Sequence, residues 1–179
     1  MWRQARRVLY FLIIMMLPET VESLKRSITD FCEKTEGLAV TENTDSAGHP
    51  CLEWKTYLIL EVVAGGGEKE EKSLSRQFVP AQFDVSFDES HHTIRVFLQW
   101  GRIDPDVWKT AEAEVRKELS EEVNLDVRFY EDRQVLELCL RYPFHEFDFS
   151  IVYEEIIGHF GLANAIFFKT SNDDIPSDE

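Results

Sequence analysis

The sequence predicts an α+β protein: a mainly antiparallel sheet with helices packed on one face, built around two hairpin-plus-helix units. Three observations carry that expectation. Phe83-Asp84-Val85-Ser86-Phe87 and the run from Ile94 to Trp100 alternate apolar and polar residues on either side of a polar turn, Asp88 to Thr93, as a hairpin with one buried face does. The pattern returns at a constant offset of 42 positions, in Leu125 to Phe129 and Leu136 to Tyr142 around the turn Tyr130 to Gln134. Each copy then leads, past Gly101 or Pro143, into residues spaced for a helix. Such an offset suits an internal supersecondary repeat, and two unrelated amphipathic hairpins would look the same.

The first seventeen residues stand apart. Arg3, Arg6 and Arg7 precede an apolar run from Val8 to Leu17, which has the charge and length of a secretory leader and is too short to span a bilayer of about 20 residues. A start at Met15 or Met16 is the other reading, and it leaves one domain over 18–170. Pro18 suits a first helical turn, Val21, Leu24, Ile28 and Phe31 form a stripe, and Gly37 is placed to cap the helix. Leu38 to Glu42 reads as a short strand, Asn43 to Pro50 as turn chemistry, and Cys51 to Val63 as a long strand. Gly65-Gly66-Gly67, followed by Glu68 to Lys72, reads as a hairpin connection or lid; with no helix behind it, it does not make a phosphate cradle.

Gln77 to Phe87 and Thr93 to Trp100 make the first hairpin. Asp104-Pro105 starts a helix whose core side is Val107, Trp108, Ala111, Val115 and Leu119. Leu125 to Tyr130 and Val135 to Tyr142 make the second hairpin, ended by Pro143. Phe149, Val152, Tyr153, Ile156, Ile157 and Phe160 then give a strongly apolar helix stripe, with Gly161 expected to stop it. Leu162 to Lys169 reads as a closing strand, which gives the order from Thr93 onward a ferredoxin-like character, and 171–179 as a disordered acidic tail.

A net charge of −15, from 19 Lys+Arg against 34 Asp+Glu, disfavours nucleic acid and favours basic or partly unfolded protein partners. Cys32, Cys51 and Cys139 are widely spaced, as reduced thiols of a cytoplasmic protein are, and lack the spacing of a zinc site. No catalytic residue, metal ligand or cofactor is therefore assigned. The chemical alternative is Asp45 with Glu53-Trp54-Lys55, the acid and acid-x-Lys pattern of a metal-dependent nuclease; a further alternative is an acidic inhibitor or immunity protein. His91-His92 reads as a polar turn, and His145, Glu146 and Asp148 as residues suited to a helix N-terminus. The apolar stripe of the last helix, with Phe144 and Phe147 before it, exceeds what one sheet contact needs. Phe149, Val152, Tyr153, Ile156, Ile157 and Phe160 are therefore the expected partner-binding residues, for a homodimer or another protein.

The helix from Pro18 to Thr35, the hairpin Phe83 to Trp100, the helix Asp104 to Glu122, the hairpin Leu125 to Tyr142 and the helix from Pro143 to Phe160 resemble, in order, the type III secretion chaperones and the YbjN family. The resemblance covers most of the chain at the level of topology. It implies a non-enzymatic, chaperone-like module that dimerises and holds an extended partner segment on an apolar groove. No membrane contact is expected unless residues 1–17 are a true leader.

Overall fold

The computed structural model describes residues 21–64, 73–119 and 124–173. A first helix, α1 (21–36), ends in a π-type turn over Cys32–Glu36, where Gly37 adopts φ 65° and donates its N–H to the Cys32 carbonyl. Only a residue without a Cβ takes that left-handed position at no steric cost. Six strands follow, β1 (Thr41–Thr44), β2 (Pro50–Ala64), β3 (Ser73–Asp88), β4 (Thr93–Gly101), β5 (Leu125–Tyr130) and β6 (Val135–Pro143), with α2 (Pro105–Leu119) between β4 and β5 and α3 (Phe149–Asp173) at the end. They form one sheet in the order β1-β2-β3-β4-β6-β5, every pair antiparallel.

Alternation decides which face is covered. Ile94, Val96, Leu98 and Trp100 of β4 are buried and pair with Tyr142, Leu140, Leu138 and Leu136 of β6; Phe83, Val85 and Phe87 of β3 continue the same face. All three helices contribute to that core through Ile28, Trp108, Ala111, Val115, Val152, Ile156 and Phe160. The other face carries Glu53, Lys55, Asp84, Arg95, Gln99 and Arg128 and has no helix on it among the described residues.

The two hairpins share one register under the 42-residue offset. Phe83 pairs with Leu98 as Leu125 pairs with Leu140, and Phe87 with Ile94 as Phe129 with Leu136. His92 and Gln134 occupy the same turn position, both at φ 52°. Phe97 and Cys139, equivalent under the offset, pair directly with each other, so a local two-fold axis normal to the sheet passes between them. This is a relation of geometry, which equal strand and turn lengths suffice to produce.

Three expectations change. Gly161 does not stop the last helix: α3 runs through Gly158 and Gly161 to Asp173, so Leu162 to Lys169 is helix and the ferredoxin-like closing strand is absent. Each mid-helix glycine costs about 1 kcal/mol relative to alanine, and the buried Ala163, Ile166 and Phe167 beyond them, with Trp108 set against Phe167, offset that loss. Ser171, expected in the tail, donates to the Phe167 carbonyl within α3. The short first strand lies at Thr41–Thr44 instead of Leu38 to Glu42. The leader, the glycine loop and residues beyond 173 lie outside the described residues.

The third change concerns the apolar stripe. Phe149, Val152, Ile156 and Phe160 are buried in the protomer's own core, and Tyr153 and Ile157 are half-buried against it. The excess over a single sheet contact is taken up by α1: Phe31 packs edge-on to Phe149 and tilted to Tyr153, while Trp54 stacks on Phe83 and Phe83 on Tyr153. Phe149, Val152, Ile156 and Phe160 are therefore core in this conformation, and of the stripe only Tyr153 and Ile157 keep part of their surface outside it. The large exposed apolar side chains of α3, among the described residues, are Ile151, Leu162 and Phe168. That same composition makes Phe149–Ser171 long and apolar enough to cross a membrane by length and hydropathy, with its inner stripe accounted for by the core.

This placement predicts a contrast in urea denaturation. Ile156→Ala should destabilise by about 2–5 kcal/mol and Phe160→Ala by about 3–5 kcal/mol, as core truncations do. Ile151→Ala should stay within about 0.5 kcal/mol, as exposed positions do.

Candidate functional site

The distinctive region arises where two strands outrun their neighbours. β2 and β3 pair over nearly their whole length, from Cys51 with Ser86 to Ala64 with Ser73. β4 pairs with β3 only from Asp88 to Ala81, and β1 with β2 only from Pro50 to Glu53. The far half of the β2–β3 hairpin is thus an arm with both edges unpaired among the described residues.

The exit of β4 defines one edge. After Gly101 the chain turns through Arg102 at φ 70°, and the Ile103 N–H donates to the Gln134 carbonyl, which carries the chain away from β3. A left-handed conformation costs a residue other than glycine roughly 1–2 kcal/mol, and local strain of this kind collects at functional sites. Beside the freed edge lies an apolar cavity of about 410 Å³, bounded by Leu60 and Gln77 on the arm, Ile103 and Val107 at the start of α2, and Phe167 and Phe168 on α3. A second cavity of about 230 Å³ runs on from it along Gln77 to Pro80 and reaches Trp100. The Trp100 indole N–H is buried with no acceptor among the described residues.

The uncovered sheet face carries the charged groups. Asp45 Oδ1 accepts from the Ala47 and His49 amides at 2.9 Å, closing the β1–β2 turn, and Oδ2 accepts from Ser86 Oγ at 2.6 Å. His49 Nδ1 lies 3.2 Å from both Asp45 Oδ2 and Arg95 Nη2. Burial works against ionisation of Asp45, but the bonds from Ser86, His49 and Ala47 outweigh it and hold the carboxyl well below the usual carboxylate range. The Ser90 hydroxyl, then His91, do the same for Asp88 against a smaller effect of burial. The Ser86 hydroxyl is engaged by the Asp45 carboxylate and, among the described residues, no imidazole bonds to it; the cluster ties the β1–β2 turn to β3 and β4.

Of the nuclease-like set, Asp45 is bonded to Ser86, the cross-strand partner of Cys51, and Glu53 lies with Asp84 and Cys51, the three ligand atoms within 4.8 Å of one another; Lys55 is exposed on the same face. Burial, with help from Asp84 and Glu53, pushes the Cys51 thiol up to about 12, so it stays protonated at neutral pH. Burial raises Asp84 as well; hydrogen bonds from Gln82 oppose this, and Glu53 and Glu137 add to it. His91 turns back onto Asp88 while His92 lies against Phe144, so the two imidazoles do not converge. Asp148 caps α3 through the Ser150 amide, and His145 sits 3.2 Å from Glu146 at the surface.

Comparison with protein-family models, curated proteins and solved structures gives no match.

The opposite shifts predict opposite pH signatures. Asp45 and Asp88 have folded-state values below their unfolded one of about 3.9, so the stability they contribute is complete above it and is lost as pH falls below it. Asp84 has a raised value, so its ionisation destabilises the fold as pH rises through the unfolded value and above. Asp84→Asn should raise Tm at neutral pH, and melts near about pH 3, below the ordinary Asp value of about 3.9, should show that gain gone. Asp45→Asn should lower Tm at neutral pH.

Proposed function

We propose that this protein is a non-enzymatic protein-binding module, chaperone-like in mode, which takes an extended segment of a partner along the free edge of β3. The observation that carries this reading is the unpaired edge over 73–80 lying beside an apolar cavity of about 410 Å³. A strand added there continues the line that β4 abandons at Gly101, gains main-chain hydrogen bonds from β3, and sends alternate side chains into the space lined by Leu60, Ile103, Val107 and Phe167. A carbonyl of the incoming segment would also supply the acceptor that the Trp100 indole lacks among the described residues. Pro80 has no N–H to give, so the pairing starts beyond it, toward the end of the arm. The net charge of −15 selects against acidic segments and favours neutral or basic ones with apolar residues at every second position.

Panning a random peptide display library on the immobilised protein tests the reading. The expected enrichment is of sequences alternating apolar residues with neutral or basic ones, lost in Ala165→Arg, where an exposed lining residue of α3 is replaced by a charge that fills the groove. Absence of enrichment, or enriched peptides that bind Ala165→Arg equally well, would show that the groove is not a binding site.

A further inference from the structure

The second edge of the arm points to a different occupant. Three of the large apolar side chains left in water lie together on the uncovered face of the arm: Tyr57 is 69% exposed, Ile59 54% and Phe78 66%, with Ile59 and Phe78 direct cross-strand partners. Along β2 that face reads Lys55, Tyr57, Ile59, Glu61, a cation and an acid bracketing an aromatic and a β-branched residue. β1 leaves the β2 edge at Glu53 and Ala39 lies beside Lys55, and among the described residues no strand pairs with the edge from Thr56 outward.

We infer that two copies of this chain pair antiparallel through the β2 edge, with Leu58 facing its own counterpart on the two-fold axis. This register follows from self-complementarity. Reversing Lys55-Tyr57-Ile59-Glu61 about Leu58 sets Tyr57 against the partner's Ile59 and Lys55 against the partner's Glu61, each contact made twice. On the covered face it sets Thr56 against the partner's half-buried Leu60. Glu61, already 3.0 Å from Arg76, gains a second cation, and exposed Lys55, which has no ion pair among the described residues, gains an acid. Moving the axis one residue to Ile59 puts Tyr57 against Glu61 and leaves Lys55 without an acid, so both the charges and the apolar pair select Leu58. The product is one continuous sheet of two protomers, with the helix layers on the same side. The β3 edge with its groove stays open, so the pairing stands or falls independently of the groove reading.

Overall charge opposes association and the paired edge favours it. Dimerisation should therefore tighten as the Debye length shrinks from about 30 Å at 0.01 M salt to about 8 Å at 0.15 M. Sedimentation equilibrium of the full chain reads this directly, alongside a charge exchange. Lys55→Glu and Glu61→Lys should each weaken the dimer by about tenfold, because each turns two symmetry-related exposed pairs from attraction to repulsion. The double exchange Lys55→Glu with Glu61→Lys should recover most of that loss. Both positions are exposed, so melts should confirm that the fold is kept in all three. Oxidation of the double variant Tyr57→Cys and Ile59→Cys should give a disulfide-linked dimer that the wild type, whose three cysteines are buried, does not give. A wild-type chain that stays monomeric at about 100 µM, where even a dissociation constant in the high micromolar range would show, would overturn the inference. A double exchange no tighter than either single one would overturn the register and with it the inference.

Discussion

The unequal length of neighbouring strands governs the rest of the structure. β3 has sixteen residues, yet β4 pairs only with its C-terminal half, Ala81 to Asp88. In that half every second residue is buried under the helices. In the other half the strand has β2 on one side and, among the described residues, no strand on the other. Core, arm, groove and free edges all follow from this division, because a sheet edge must be paired, covered or left as a template for another strand.

What holds the covered half is aromatic packing across four elements, β2, β3, α3 and α1. Trp54 and Phe83 stack at 5.0 Å between centroids, Phe83 stacks on Tyr153 at 5.4 Å, and Phe31 closes the group from α1. At the other end Trp100 meets Phe160 edge-on and Trp108 stacks on Phe129, so α3 is fixed over β4 and α2 over β5. Such rings bury about 150–250 Å² each and prefer defined geometries, so they hold the helices in place as well as bury surface. Because α3 is anchored over most of its length, its final turns, with Phe167 inward and Phe168 half outward, form a fixed wall opposite the arm. Rigidity on one side of the groove and an unpaired edge on the other is the arrangement that strand addition requires.

The sheet was legible in the sequence because its period of two survives in both hairpins. The turns at Asp88 to Thr93 and Tyr130 to Gln134 fixed which strands pair, and Asp104-Pro105 marked the start of α2 through the Asp104 bond to the Asp106 amide. The end of α3 was misread for a physical reason: Gly161 has room on all sides and keeps a helical backbone, so the stop signal that glycine gives when it adopts a left-handed conformation was never used. The site was less legible. An apolar stripe looks the same whether it meets a partner or, as with Ile156 and Phe160, the protomer's own sheet. The arm depends on where β4 stops relative to β3, a difference between two segments that neither carries by itself. Tyr57, Ile59 and Phe78 occupy regular places in an alternating pattern, and only the absence of a covering layer makes them surface. The union of Asp45 with Ser86 spans 41 positions of sequence and has no local signature.

Amide hydrogen exchange on dilute wild-type protein tests the central claim most directly, because it reads each edge without a partner or ligand. The outward-facing amides of 56–60 and 73–79 should exchange with little protection, while those of Ala81 to Asp88 in the β3–β4 ladder exchange slowest of all. Uniform protection along the whole of β3 at that dilution would mean that the edge is already paired within the protomer, and an arm with two free edges would then be the wrong description of this molecule.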